Sequence, residues 1–98
     1  MIRTVRVFEA KRGRVEEVIE LLKEMQAYSE SQGVEERIFI EPWGDSARVH
    51  VHFDHADMGK SQEDFERMHI DNARARAALD RLDVLTEPNP RIHLLLER

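Results

Sequence analysis

Four short stretches of this chain alternate apolar and polar residues, and the two stretches between them repeat at helical spacing. That order restricts the fold more than any other feature. The clearest alternation runs from Ala47 to Asp54, where Val49, Val51 and Phe53 oppose Arg48, His50 and His52. A period of two places the sets on opposite faces of a strand. Just before it, Val34 to Trp43 puts Ile38 and Ile40 on one face and Arg37, Phe39 and Glu41 on the other. Pro42 cannot donate to a ladder, so this strand ends near it or lies at an edge. Gly44-Asp45-Ser46 is a turn signal, and the two strands are predicted to form a hairpin. At the start of the chain Ile2 to Ala10 alternates too, with Val5 and Val7 expected on one face and Thr4, Arg6 and Phe8 on the other. After the breaker Thr86-Glu87-Pro88-Asn89-Pro90, a last strand sets Ile92, Leu94 and Leu96 against Arg91, His93 and Leu95.

Between the first two strands, Val15, Val18, Ile19, Leu22 and Met25 recur at helical spacing, with glutamates early and Gly33 placed as the stop. Ser61-Gln62-Glu63-Asp64 has the form of a capping box, from which a second helix is predicted to run to about Leu82. Its apolar stripe is Phe65, Met68, His69, Ala75, Leu79 and Leu82. The order strand, helix, strand, strand, helix, strand predicts a ferredoxin-like α+β domain, with an antiparallel four-stranded sheet carrying both helices on one face. Val5/Val7, Ile38/Ile40, Val49/Val51/Phe53 and Ile92/Leu94/Leu96 are expected to meet those helices. A chain of 98 residues has room for one such core, so residues 1–98 are expected to form a single domain.

Composition narrows the partners. A formal net charge of −5 opposes nucleic-acid binding, which normally needs a basic excess. No apolar run approaches the ~20 residues that span a bilayer, so no membrane partner is expected. There are no cysteines, which removes disulfides, thiolate metal sites and cysteine nucleophiles. With no signal-like apolar stretch at Met1–Arg6, a reducing cytoplasm is the expected location.

The sheet face turned away from the helices is expected to carry Thr4, Arg6, Phe8, Arg37, Phe39, Glu41, Arg48, His50, His52, His93 and Leu95. Aromatic and aliphatic groups mixed with charges mark an interface or a ligand site more often than a solvated surface. With this element order and length, the chain resembles the dimeric α+β-barrel superfamily, including antibiotic-biosynthesis-type monooxygenases and NIPSNAP-like domains. The resemblance implies a homodimer enclosing a cavity, and a small-molecule ligand that is planar and aromatic. It also implies cofactor-independent monooxygenase-like or cyclase-like chemistry. In that reading Arg6, Phe8, Phe39, Arg48 and Leu95 bind the ligand, Arg6 or Arg48 stabilises an anionic oxygen, and His50, His52 or His93 moves a proton. Haem-degrading relatives use an Asn on the first strand, a Trp near the second helix and a His within it. Only His69 matches that set; Thr4 or Arg6 stands near the place of the Asn and the one Trp is Trp43, so neither haem nor any other cofactor is expected.

Other readings compete. A non-catalytic ligand-binding or oligomerisation module fits the same features. The topology is also that of single-stranded RNA binders, but the third strand lacks their Gly- and aromatic-rich signature. His50-Val51-His52-Phe53-Asp54-His55 resembles the HxHxDH metal motif of the metallo-β-lactamase superfamily. That fold needs roughly twice this chain and further ligands downstream, so no metal is assigned. A local site would need His50 and His52, roughly 6.6 Å apart along the strand, completed by His93 or a partner residue. Asp54, Asp57, Glu63 and Asp64 cluster near the second helix, either as acid–base carboxylates or as a solvated helix start. Trp43 covers the hairpin end or anchors a dimer.

Overall fold

The computed structural model describes residues 1–44, 46–66, 73–88 and 90–96. The alternating segments become β1 (Ile2–Glu9), β2 (Glu36–Trp43), β3 (Ser46–His55) and β4 (Arg91–Leu96). The helical segments become α1 (Val15–Ser31), α2 (Met58–Phe65) and α3 (Ala73–Leu85). The strands form one antiparallel sheet in the order β2-β3-β1-β4, the ferredoxin-like arrangement. β2 and β3 are joined as the predicted hairpin, with Trp43 opposite Ser46 and Gly44 at φ 65 in the turn, where a side chain would be strained. Asp45 of the predicted turn lies outside the described residues.

Glu16 and Glu17 stand in the first turn of α1, where the backbone N–H groups favour negative charge. Val18, Leu21 and Leu22 form its buried stripe. The helix stops at Gly33, whose φ of 79 lets the chain reverse so that Val34 N–H donates to the Ser29 carbonyl. The second helical region departs from expectation at its start. Asp57, in extended conformation, accepts a hydrogen bond from the Lys60 N–H at 2.8 Å, so α2 begins at Met58 rather than after Ser61. Of the expected stripe, Ala75 and Leu82 are buried and Leu79 half-buried, while Met68 and His69 lie outside the described residues. The Thr86 hydroxyl donates to the Leu82 carbonyl, and Glu87 N–H donates to the Glu9 carbonyl, tying the end of α3 to the end of β1.

The largest correction concerns β1. Directly paired residues share a face of the sheet. Phe8 pairs with Val49, Arg6 with Val51, and Thr4 with Phe53. The even-numbered residues of β1 therefore face the helices, and Val5 and Val7 lie on the other side with His52 and His50. Phe8, 5% exposed, belongs to the core with Val18, Leu22, Val49, Val51 and Leu82. Ile38 and Val51 share that side as expected, and so do Ile40 and Val49. Arg6 and Phe8 are thus not part of the face that carries the histidines.

Candidate functional site

The helix side of the sheet holds a cavity of about 210 Å³, walled by Leu21, Met25 and Tyr28 of α1, Phe53 of β3 and Ala75 and Ala78 of α3. Two buried polar side chains interrupt this wall, Ser29 and Glu36, which are 1% and 3% exposed. Their positions follow from local periodicity. Ser29 stands one helical turn beyond Met25, on the stripe that α1 buries. Glu36 shares its strand face with Ile38 and Ile40 and pairs with Phe53. The Ser29 hydroxyl lies 2.6 Å from Glu36 Oε2 and 3.0 Å from the Met25 carbonyl oxygen. Ala77 and three charged residues, Glu24, Arg74 and Arg81, complete the lining.

Burial pushes the Glu36 carboxyl up to about 7, against the Ser29 hydrogen bond and the Arg6 charge, with Glu30 adding to the rise. Arg6, on the same side of the sheet but across β3, is itself pulled below its ordinary range by burial, and Glu36 partly offsets that. A guanidinium stays protonated under such shifts. This half of the sheet therefore presents a fixed cation and a carboxyl able to give or accept a proton near neutrality. Sequence reasoning placed Arg6 on the wrong face and passed over Ser29 and Glu36. The available signal was phase: each is a polar residue at an apolar position of its own element.

The opposite face is ordered in rows by the strand register. Glu41, Arg48 and Glu9 form the first row; Phe39, His50, Val7 and Arg91 the second. Arg37, His52, Val5 and His93 form the third, and Asp54, Arg3 and Leu95 the fourth. Phe39 packs against His52 with ring centroids 4.8 Å apart. Glu41 Oε1 lies 3.0 Å from His50 Nε2, a contact that holds the carboxyl below its usual range. Arg3 makes two hydrogen bonds to Asp54, at 2.7 and 3.1 Å. Burial lowers His52, reinforced by Arg3, His50 and Arg37. A groove of about 240 Å³ runs over Val5 and Val7 between Arg48 and His50 on one side and Arg91 and His93 on the other.

The structure thus gathers His50, His52, His93, Phe39, Arg48 and Leu95 on one face, and leaves Arg6 and Phe8 on the other. His93 is separated from His52 by β1, and among the described residues no three His, Asp or Glu side chains form a metal-binding group. The acidic cluster near α2 is dispersed: Asp54 pairs with Arg3, Asp57 caps α2, and buried Asp64 accepts from His55 Nδ1 at 2.9 Å and from Lys60 Nζ at 3.0 Å. Trp43 is 60% exposed at the hairpin end.

Solved structures share this architecture over the whole chain. A NIPSNAP domain protein from Burkholderia xenovorans superposes with a TM-score of 0.78 at 16% identity, covering 100% of this chain and 95% of that one. A NIPSNAP family protein from Agrobacterium tumefaciens gives 0.77 at 22% identity, over 99% and 85% of the two chains. An antibiotic biosynthesis monooxygenase gives 0.77 at 9% identity, over 100% and 99%. No family model matches the sequence, and neither does any curated protein. At these identities the likeness establishes the ferredoxin-like fold, on which unrelated functions are carried.

Proposed function

We propose that this chain handles a small molecule in the helix-side cavity, with Glu36 as the proton-transferring group and Arg6 as the cation that stabilises a developing anionic oxygen. The observation that carries this reading is the Glu36 carboxyl, 3% exposed on an apolar cavity wall and held near pH 7. Perturbed carboxyls in cavities mark functional sites. The aromatic and aliphatic lining suits a planar, largely apolar ligand bearing an acidic O–H or an acidic C–H beside a carbonyl. Glu36 takes that proton, and the electron pair left behind is delocalised onto oxygen as a phenolate or enolate. The likeness to an antibiotic biosynthesis monooxygenase supports, as the following step, oxidation of that anion with molecular oxygen as the electron acceptor, or its cyclisation without any change of oxidation state. In this reading the proton transfer expected of His50, His52 and His93 passes to Glu36. A non-catalytic ligand binder is the second reading, favoured by the Ser29–Glu36 hydrogen bond, which gives the carboxyl a partner within the protein.

The test uses 2-naphthol as a planar phenol probe, followed by NMR. Shifts at Leu21, Met25, Tyr28 and Ala78, with binding whose pH dependence near 7 disappears in Glu36→Gln, are expected. Shifts confined to His50, His52 and His93 would move the site to the other face and overturn the assignment.

The open face is proposed to be covered by a second copy, giving a homodimer. Phe39 and Leu95 are 50% and 52% exposed there, around Val5 and Val7. Among the described residues no helix is long and apolar enough to cross a membrane. The cysteine-free, net acidic sequence supports a cytoplasmic location and no nucleic-acid partner.

A further inference from the structure

We infer that the ligand of the helix-side cavity carries a carboxylate at the end away from its acidic hydrogen, and that Arg81 and Arg74 of α3 bind it. The inference rests on the small-molecule reading of that cavity, and adds the class of ligand and the way round it sits. The wall contributed by α3 consists of Arg74, Ala75, Ala77, Ala78 and Arg81. Seven residues separate the two arginines, so both project to one side of the helix, roughly 10.5 Å apart along its axis. Between them the wall is alanine, whose short side chain leaves room for a flat ring system.

The cavity differs from end to end. Lys11 N–H donates to the Leu85 carbonyl at 2.9 Å, so the end of α3 meets the start of α1 and the two helices run antiparallel. Arg81 therefore stands toward Leu21 and Glu24, away from Ser29 and Glu36. Ser29 and Glu36 are buried, whereas Glu24, Arg74 and Arg81 are exposed and form the mouth. Five residues of α1 separate Glu24 from Ser29, so a molecule reaching from Glu36 to the Glu24 end covers roughly 7.5 Å, the scale of two fused rings. Two guanidiniums against one carboxylate give the mouth a net positive charge. Helical neighbours do not neutralise Arg81, since Ala77, Ala78, Val84 and Leu85 hold the positions three and four residues away. Among the described residues neither Arg81 nor Glu24 forms an ion pair. A guanidinium meets a carboxylate through two parallel hydrogen bonds, which a neutral oxygen cannot match. Burying a second carboxylate beside Glu36 is costly, so the anionic end stays outward and the acidic hydrogen is delivered inward.

The test compares 2-naphthol with 6-hydroxy-2-naphthoate, the same phenol bearing a carboxylate at its far end, by NMR titration at pH 6.0 and low ionic strength. The naphthoate is expected to bind at least about fivefold more tightly, with shifts at Leu21, Ala78 and the Arg81 Nε–H. Adding 0.5 M salt should reduce that advantage, because the ion pair forms at an exposed mouth. In Arg74→Gln/Arg81→Gln, its fold checked by circular dichroism, the ratio of the two affinities should fall to within about twofold of one. Binding of neither probe in the cavity would overturn the small-molecule reading itself. If 2-naphthol binds there and the carboxylate brings no advantage, or one that the arginine variant keeps, the anionic-end inference alone falls. Naphthoate shifts confined to Arg48, His50, Arg91 and His93 would put the anion on the open face and overturn it equally.

Discussion

The Ser29 hydroxyl sits 2.6 Å from Glu36 Oε2 while also lying 3.0 Å from the Met25 carbonyl oxygen, and it has one proton for the two acceptors. When Glu36 is ionised, Ser29 donates to the carboxylate. When Glu36 is protonated, its own O–H donates to Ser29 Oγ, which is then free to donate to Met25. Both protonation states are hydrogen-bonded, so the group can change charge without leaving a buried polar atom orphaned.

Glu36 should leave a signature in stability. Its folded pKa, about 7, is raised from 4.5, so its favourable contribution is complete below 4.5 and is lost as pH rises through 7. The total loss is roughly 3 kcal/mol, at about 1.4 kcal/mol per unit. His52, held below its ordinary value, acts in the opposite direction, so the comparison must be with a variant. Urea denaturation at pH 5 and 8 should show wild type losing stability on going to pH 8. In Glu36→Gln that loss should shrink by most of the stated amount; an equal loss in both proteins would remove Glu36 as its source.

Arg6 lowers the Glu36 carboxyl from across β3. Arg6→Met should therefore raise the Glu36 midpoint above 7, by about one unit for a charge acting through a poorly solvated layer. Carboxyl ¹³C NMR titration of Glu36 reads this directly. An unmoved midpoint would mean that the guanidinium does not reach the cavity, and would leave the anion-stabilising role without support.

Most of the architecture was legible because β3 and both helical regions have only one apolar phase, and in β2 the charges Arg37 and Glu41 on either side of Phe39 mark its face as the polar one. β1 has two. Val5 and Val7 make one phase, and Ile2, Phe8 and Ala10 make the other, with Arg6 in its midst. Taken alone, Arg6 argues that the even-numbered face is wet. The residue that makes its burial tolerable, Glu36, is thirty positions away and invisible to local periodicity. The cavity escaped notice for the same reason: it needs Ser29 and Glu36 to meet, and their elements are brought together only by packing. The histidine face was legible because three of its strands were phased correctly.

His55 and Asp64 form a second buried polar pair, 8% and 4% exposed, that docks α2 against the end of β3. Burial pushes the Asp64 carboxyl up, but hydrogen bonds from Lys60 and His55 outweigh it and hold the group below its usual range. A lowered carboxyl stabilises the fold above its unfolded pKa, and that contribution is lost as pH falls through the folded value. His55→Ala should cost about 1–3 kcal/mol by stripping a partner from a buried carboxylate. It should also move the acid-unfolding midpoint to higher pH in a circular-dichroism titration. An unchanged acid midpoint would show that Lys60 alone holds Asp64.

The phase of β1 can be tested without any ligand. Phe8, in the core between Val49 and α1, should cost about 3–5 kcal/mol when cut to alanine, because the surrounding side chains cannot collapse fully into the space. Val7 lies one residue away on the opposite face, over the groove beside His50. Val7→Ala should cost at most about 1 kcal/mol in urea denaturation at a protein concentration low enough to separate the copies, since few core atoms lose contacts there. Both substitutions remove side-chain carbons from neighbouring positions of one strand, so strand propensity alone does not separate them by this margin. If Val7→Ala were the more damaging, the odd-numbered face would be the packed one. Arg6 would then return to the histidine side, and Glu36 would lose the charge that acts on it across β3.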